Sequence, residues 1–123
     1  MSTVQEEPER ENRIMIEIIV DAYGPEEQAM GWYYYLEDVI SFPFTAICIA
    51  ERRISPLRMG DELEIIDMAP EDECEHEMFV ETSWGERTQA IPLAQVSPVG
   101  ATDEKTKEAV DDWHYWVARG YEF

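Results

Sequence analysis

Positive charge is scarce in this chain: nine Lys and Arg stand against 28 Asp and Glu in 123 residues, for a formal net charge of −19. Nucleic acids and anionic membrane surfaces are therefore not expected as partners, because binding them depends on clustered Lys and Arg. Cations and basic proteins are the favoured alternatives. Long apolar runs are also missing, and none approaches the roughly 20 residues that span a bilayer. The start of the chain, Ser2 to Asn12, is polar and acidic, unlike a secretory signal with its basic head and apolar middle. A cytoplasmic location is the expectation. Cysteine is limited to Cys48 and Cys74, which at this size and location are expected to be reduced.

Catalytic signatures are lacking too. There is no Gly-rich phosphate loop, nucleophile elbow or metalloprotease motif. Carboxylate pairs abound, but a small core leaves little room for a deep pocket. The chain is read as a non-enzyme.

What is present is enough for a folded core: 45% of residues are hydrophobic, an ordinary share for a globular domain. Residues 1–12 are expected to form a flexible acidic leader, and residues 13–123 one domain. Arg13 to Tyr23 is ambiguous: its β-branched content favours a strand, while Arg13, Glu17 and Asp21 share a helix face. Gly24-Pro25 as a stop and restart tips the reading to helix. Glu26 to Ile40 carries a helical stripe of Ala29, Trp32, Tyr33, Leu36 and Ile40, with Glu26 and Glu27 suiting its N-terminal dipole.

The middle of the chain reads as short strands: Phe44–Glu51, Glu62–Met68, Met78–Trp84, Thr88–Leu93 and Val96–Val99, with a turn at Gly85. A final helix is expected from about Asp103 to Ala118, capped by Thr102 or Asp103 and stopped at Arg119-Gly120. The fold class expected is α+β. It combines a small, partly open antiparallel barrel of SH3-like or half Greek-key type with two N-terminal helices and one C-terminal helix.

Three acidic features are candidate cation sites. The segment Pro70 to Glu77 holds Glu71, Asp72, Glu73, Glu75 and Glu77, five carboxylates in seven residues. Calcium accepts six to eight oxygens in loose geometry, so such a loop suits it better than magnesium. The spacing is not that of an EF-hand, and a merely solvated turn fits the same residues. Glu37 and Asp38, with Glu27 and Tyr34, lie on the polar face of the second helix. Carboxylates near a helix C-terminus are electrostatically misplaced, and a bound cation relieves that. The last helix repeats Glu104, Glu108 and Asp112 at spacing four, with Asp111 adjacent. An ordinary charged surface is the better reading there. A zinc site from Cys48, Cys74, His76 and His114 is disfavoured, since Cys74-x-His76 is not a usual ligand spacing.

Several long strings resemble the CcbP-type calcium-binding proteins of bacteria, known from cyanobacteria. They include Glu17-Ile18-Ile19-Val20-Asp21-Ala22-Tyr23, Ala29-Met30-Gly31-Trp32-Tyr33-Tyr34-Tyr35-Leu36 and Phe42-Pro43-Phe44. Cys48-Ile49-Ala50-Glu51-Arg52, Cys74-Glu75-His76-Glu77-Met78 and Asp112-Trp113-His114-Tyr115-Trp116 extend the likeness over roughly residues 14 to 123. The resemblance implies a cytosolic calcium-sequestering protein that binds Ca2+ partly at a defined site and partly through surface charge. By position it implies Asp38 as the site aspartate. The metal ligands expected are therefore Asp38, Glu37, Glu71, Asp72, Glu73 and Glu75. The alternative function is an SH3-like interaction module whose acidic face binds a basic protein partner.

Overall fold

A computed structural model describes residues 5–123. The first helix, α1 (Pro8–Arg13), opens with Pro at its first turn and Glu9 and Glu11 beside the positive end of its dipole. It runs on into a π-helical turn, Ile14–Ile18, closed by the Ile19 amide donating to the Ile14 carbonyl at 3.0 Å. That wider turn buries Ile14 and Ile18 and leaves Met15 and Ile16 outside. Asp21, at φ +58°, then reverses the chain, a conformation that short polar side chains tolerate.

The expected helix from Arg13 to Tyr23 is thus displaced toward the N-terminus. The expected leader is revised with it. Residues 1–4 lie outside the described residues, but residues 7–12 are not a solvated tail. Tyr115 accepts a hydrogen bond from the Glu7 amide at 2.9 Å, and Tyr121 donates one to Glu11 at 2.5 Å. Buried Asp112 accepts from Arg13 at 2.6 Å and lies 3.5 Å from Arg10. A desolvated carboxylate needs such partners, and the arginines of the acidic segment supply them.

Helix α2 (Pro25–Val39) buries Ala29, Trp32, Tyr33 and Leu36, the stripe expected from spacing. At Gly31 the π-helical turn comes so close that an added Cβ would collide with the Ile18 carbonyl oxygen. Helix α3 (Glu104–Ala118) is capped by Asp103, whose carboxylate accepts from the Thr106 amide at 3.0 Å and is held below the usual carboxylate range by Thr106. Gly120, at φ +82°, ends it. Trp32 of α2 packs edge-on to Trp113 and tilted to Trp116 of α3, with ring centroids 5.1 and 5.6 Å apart.

The strands are β1 (Phe44–Cys48), β2 (Glu62–Met68), β3 (Phe79–Trp84), β4 (Arg87–Pro92) and β5 (Val96–Pro98). All pairings are antiparallel, in the order β4-β3-β2-β1-β5. Residues of the inner face, including Phe44, Ala46, Leu63, Ile65, Val80 and Ile91, pair across neighbouring strands or lie one step along them. The fold is α+β as expected, and the antiparallel sheet is open, with β4 and β5 as its two edges. Only Leu93–Gln95 separates them in the chain, so the sheet curls until its edges approach at that corner. Strand β1 ends at Cys48, shorter than expected, although the Ile49 amide still donates to the Gln95 carbonyl at 2.7 Å in register with the β1–β5 pairing.

Candidate metal centre

Two consecutive tyrosines of α2 organise the acidic connection between β2 and β3. Tyr33 points inward and donates to the Ala69 carbonyl at 2.8 Å. Tyr34, one step round the helix, is exposed and donates to Glu71 Oε2 at 2.9 Å. The connection is thereby held against α2, and its 3-10 turn, Glu71–Cys74, presents Glu71, Asp72 and Glu73 to solvent. Cys74 plugs the turn from beneath, fully buried, with its sulfur 3.4 Å from the Phe79 amide. Burial pushes its thiol pKa up, which suits an inert core cysteine.

Electrostatics reports what this packing brings together. The Tyr33 hydroxyl pKa is pushed up to about 12, first by burial and then by the negative charge of Glu37, with Asp67 and Glu71 adding to it. Tyr34 is raised as well, chiefly through its hydrogen bond to Glu71. Glu37 of the last turns of α2 and Glu71 of the 3-10 turn thus both oppose ionisation of these two tyrosines. Asp38 is exposed one residue further on, and no basic residue occupies the last turn of α2. The Ser41 amide donates to Thr106 Oγ1 at 2.9 Å and does not continue the helix. Glu75 lies at the other end of the connection, where it lines a cleft of about 200 Å³ with Glu26, Ala29 and Met30.

Of the six expected ligands, Glu37 and Glu71 are thus drawn to the same tyrosines. Asp38, Asp72 and Glu73 are exposed nearby in sequence, and Glu75 faces the start of α2. Among the described residues, no three Asp, Glu, His or Cys side chains are arranged to hold one ion. The four soft candidates also stay apart: Cys48 and Cys74 are buried, while His114 Nε2 lies 3.3 Å from the Leu93 carbonyl. Asp112 leaves the acidic face of α3 altogether, being the buried partner of Arg13 and Arg10. Sequence spacing missed Asp67 and Glu26. Both lie on elements whose neighbours are set by the packing of the connection on α2.

A family model described as calcium binding matches residues 12–117. The chain belongs to the CcbP family of calcium-binding proteins. The crystal structure of CcbP from Anabaena is 42% identical, with a TM-score of 0.87 and all of both chains covered. A calcium-binding protein in its calcium-binding form is 40% identical, again with a TM-score of 0.87 over the whole of both chains. No curated protein matches. Membership in the CcbP family places this chain among metal-binding proteins and not in an enzyme family. The donors at α2 and the 3-10 turn fit a hard cation. They are exposed carboxylate oxygens beside a helix C-terminus that carries no basic residue, and the Cys74 thiol of the same turn is buried.

Proposed function

We propose that this chain binds calcium reversibly and sequesters or buffers it in the cytosol. The defined site lies at the C-terminal turns of α2 with the 3-10 turn, drawing on Glu37, Asp38 and Glu71, with Asp72 and Glu73 adjacent. The remaining acidic surface holds further ions loosely. The observation that carries this reading is the 2.9 Å hydrogen bond from the Tyr34 hydroxyl to Glu71 Oε2, which holds the acidic 3-10 turn against the helix that bears Glu37 and Asp38. Glu75, set toward Glu26, belongs to the loose surface component.

Because the side chains are exposed and not preformed into a cage, ordering them opposes binding. Dissociation constants near 10⁻⁴ to 10⁻³ M are expected, about the weak end of the calcium-site range. Surface charges are screened beyond about 8 Å at physiological ionic strength, so the loose component weakens with salt more than the defined one. No catalytic residues are assigned, and nucleic acid and membrane are not proposed as partners.

Calorimetry at low and moderate salt tests the proposal. Asp38→Ala is expected to weaken the salt-resistant component several-fold and to leave the salt-sensitive component in place. Tyr34→Phe releases Glu71 from α2 and is expected to weaken the same component without changing the far-UV spectrum. Absence of any calcium heat at millimolar concentration would end the proposal.

A further inference from the structure

The chain contains no Lys or Arg between Arg13 and Arg52, and then three arginines, Arg52, Arg53 and Arg58, within seven residues. They lie on the connection from β1 to β2. That connection is firmly built. Cys48 and Gly60 or Asp61 exchange backbone hydrogen bonds at 2.8 and 2.9 Å, Ser55 donates to the Arg52 carbonyl, and Leu57 is buried in the core. Its outer side is nevertheless apolar: Ile54 is 73% exposed and Met59 60%, with Ile49 beside them. Arg52 pairs with Glu77 at 2.5 Å. Neither the Arg53 nor the Arg58 guanidinium forms an ion pair among the described residues, and Glu51 spends a carboxylate oxygen on the Met59 amide. A cationic, greasy surface is thus held in place on a body of opposite charge.

The complementary surface is on the same molecule. The π-helical turn turns Ile14 and Ile18 inward, which leaves Met15, Ile16, Val20 and Tyr23 on the outside, Tyr23 at 88% exposure. Glu17 and Asp21 lie among them, and Glu27 accepts from the Tyr23 amide. Both surfaces are exposed, so the chain does not satisfy one with the other. Charge complementarity with apolar anchors on each side is what a protein contact requires.

We propose that a second copy of this chain docks the acidic, apolar surface around Met15, Glu17, Val20 and Tyr23 onto the basic, apolar connection bearing Arg53, Ile54, Arg58 and Met59. The contact is heterologous, so each docking event leaves one surface of each kind free and the assembly can grow by addition.

Sedimentation velocity in 150 mM KCl with a calcium chelator tests this independently of metal binding. The wild-type chain is expected to sediment faster as its concentration rises over roughly 10 μM to 1 mM, the range of a small transient contact. Arg53→Glu with Arg58→Glu, and separately Glu17→Lys with Val20→Lys, are each expected to weaken association about tenfold or more. Mixing the two variants restores one intact pair of surfaces, so a complex that neither variant forms alone is expected. Unchanged far-UV spectra establish that the exposed substitutions leave the fold intact. A wild-type chain that stays monomeric throughout overturns the proposal, as does failure of the mixture to form the complex. Sedimentation with phosphatidylserine vesicles, lost in the Arg53→Glu, Arg58→Glu variant, also overturns it by assigning the basic surface to lipid.

Discussion

Tyr33 shows how much one buried hydroxyl can report about its surroundings. Its oxygen is tied to the Ala69 carbonyl, and both burial and the carboxylate of Glu37 oppose formation of a tyrosinate. Tyr35 is also pushed up to about 12, by burial first and then by Asp112. Raised folded-state pKa values mean that the native chain holds these protons more tightly than the unfolded chain, whose tyrosines titrate near 10. The stability they contribute is full below pH 10 and is lost as pH climbs from 10 through 12. An ultraviolet titration is expected to resolve a late step near pH 12. Glu37→Gln is expected to move the Tyr33 part of that step down toward 10 and to leave Tyr35 in place. A late step unaffected by Glu37→Gln would separate Glu37 from the tyrosine pair and weaken its assignment to the metal centre.

At the level of elements, α1 is held by a link no local pattern contains. Asp112 is fully buried, and burial pushes its carboxyl up while Arg13 and Arg10 pull it back. Arg13→Ala leaves that carboxylate with only Arg10, 3.5 Å away. The expected loss is about 3 kcal/mol, the low end of the range for breaking a buried pair, because one guanidinium remains. Chemical denaturation measures it, and a loss below about 0.5 kcal/mol would put the pair among surface contacts instead. Sequence reading failed at this point for a definable reason. Glu7 to Arg13 looks solvated because every residue in it is polar or Pro, and Asp112 looks solvated because it follows Glu108 at spacing four. Their pairing spans 99 positions in the chain. By contrast α2 and α3 were legible from Trp32, Leu36, Trp113 and Trp116 at helical spacing, and from Asp103 and Gly120 at the ends of α3. The strands were legible from alternation, as at Leu63 and Ile65. The order of the strands was not, since it depends on contacts such as Ala46 with Pro98. The candidate site was legible in part: composition picks out Glu71 to Glu75, and only the Tyr34 hydroxyl shows which of them meets α2.

On the scale of the whole molecule, a net charge of −19 on a chain of this length is a standing cost to compactness. The core of Trp32, Trp113, Trp116 and the inner sheet face has to outweigh carboxylates that repel one another across most of the surface. Two separable responses follow. Raising KCl from about 10 to 150 mM shortens the screening length from about 30 to 8 Å and is expected to raise Tm through weaker self-repulsion alone. Calcium at matched ionic strength adds a second contribution, because an ion bound only by the native state stabilises it by mass action. At free calcium ten times Kd that contribution is about 1.4 kcal/mol per site, which for a chain of this size corresponds to about 5 °C in Tm. Magnesium, which dehydrates reluctantly and demands octahedral geometry, is expected to give a smaller rise than calcium at the same ionic strength. Scanning calorimetry in the three salts separates the effects. Equal Tm values in calcium, magnesium and potassium would mean that the surface acts only as a screened charge. Calcium would then have no site at α2 that outlasts salt, whereas a surplus confined to calcium and removed by Asp38→Ala locates its binding at the end of that helix.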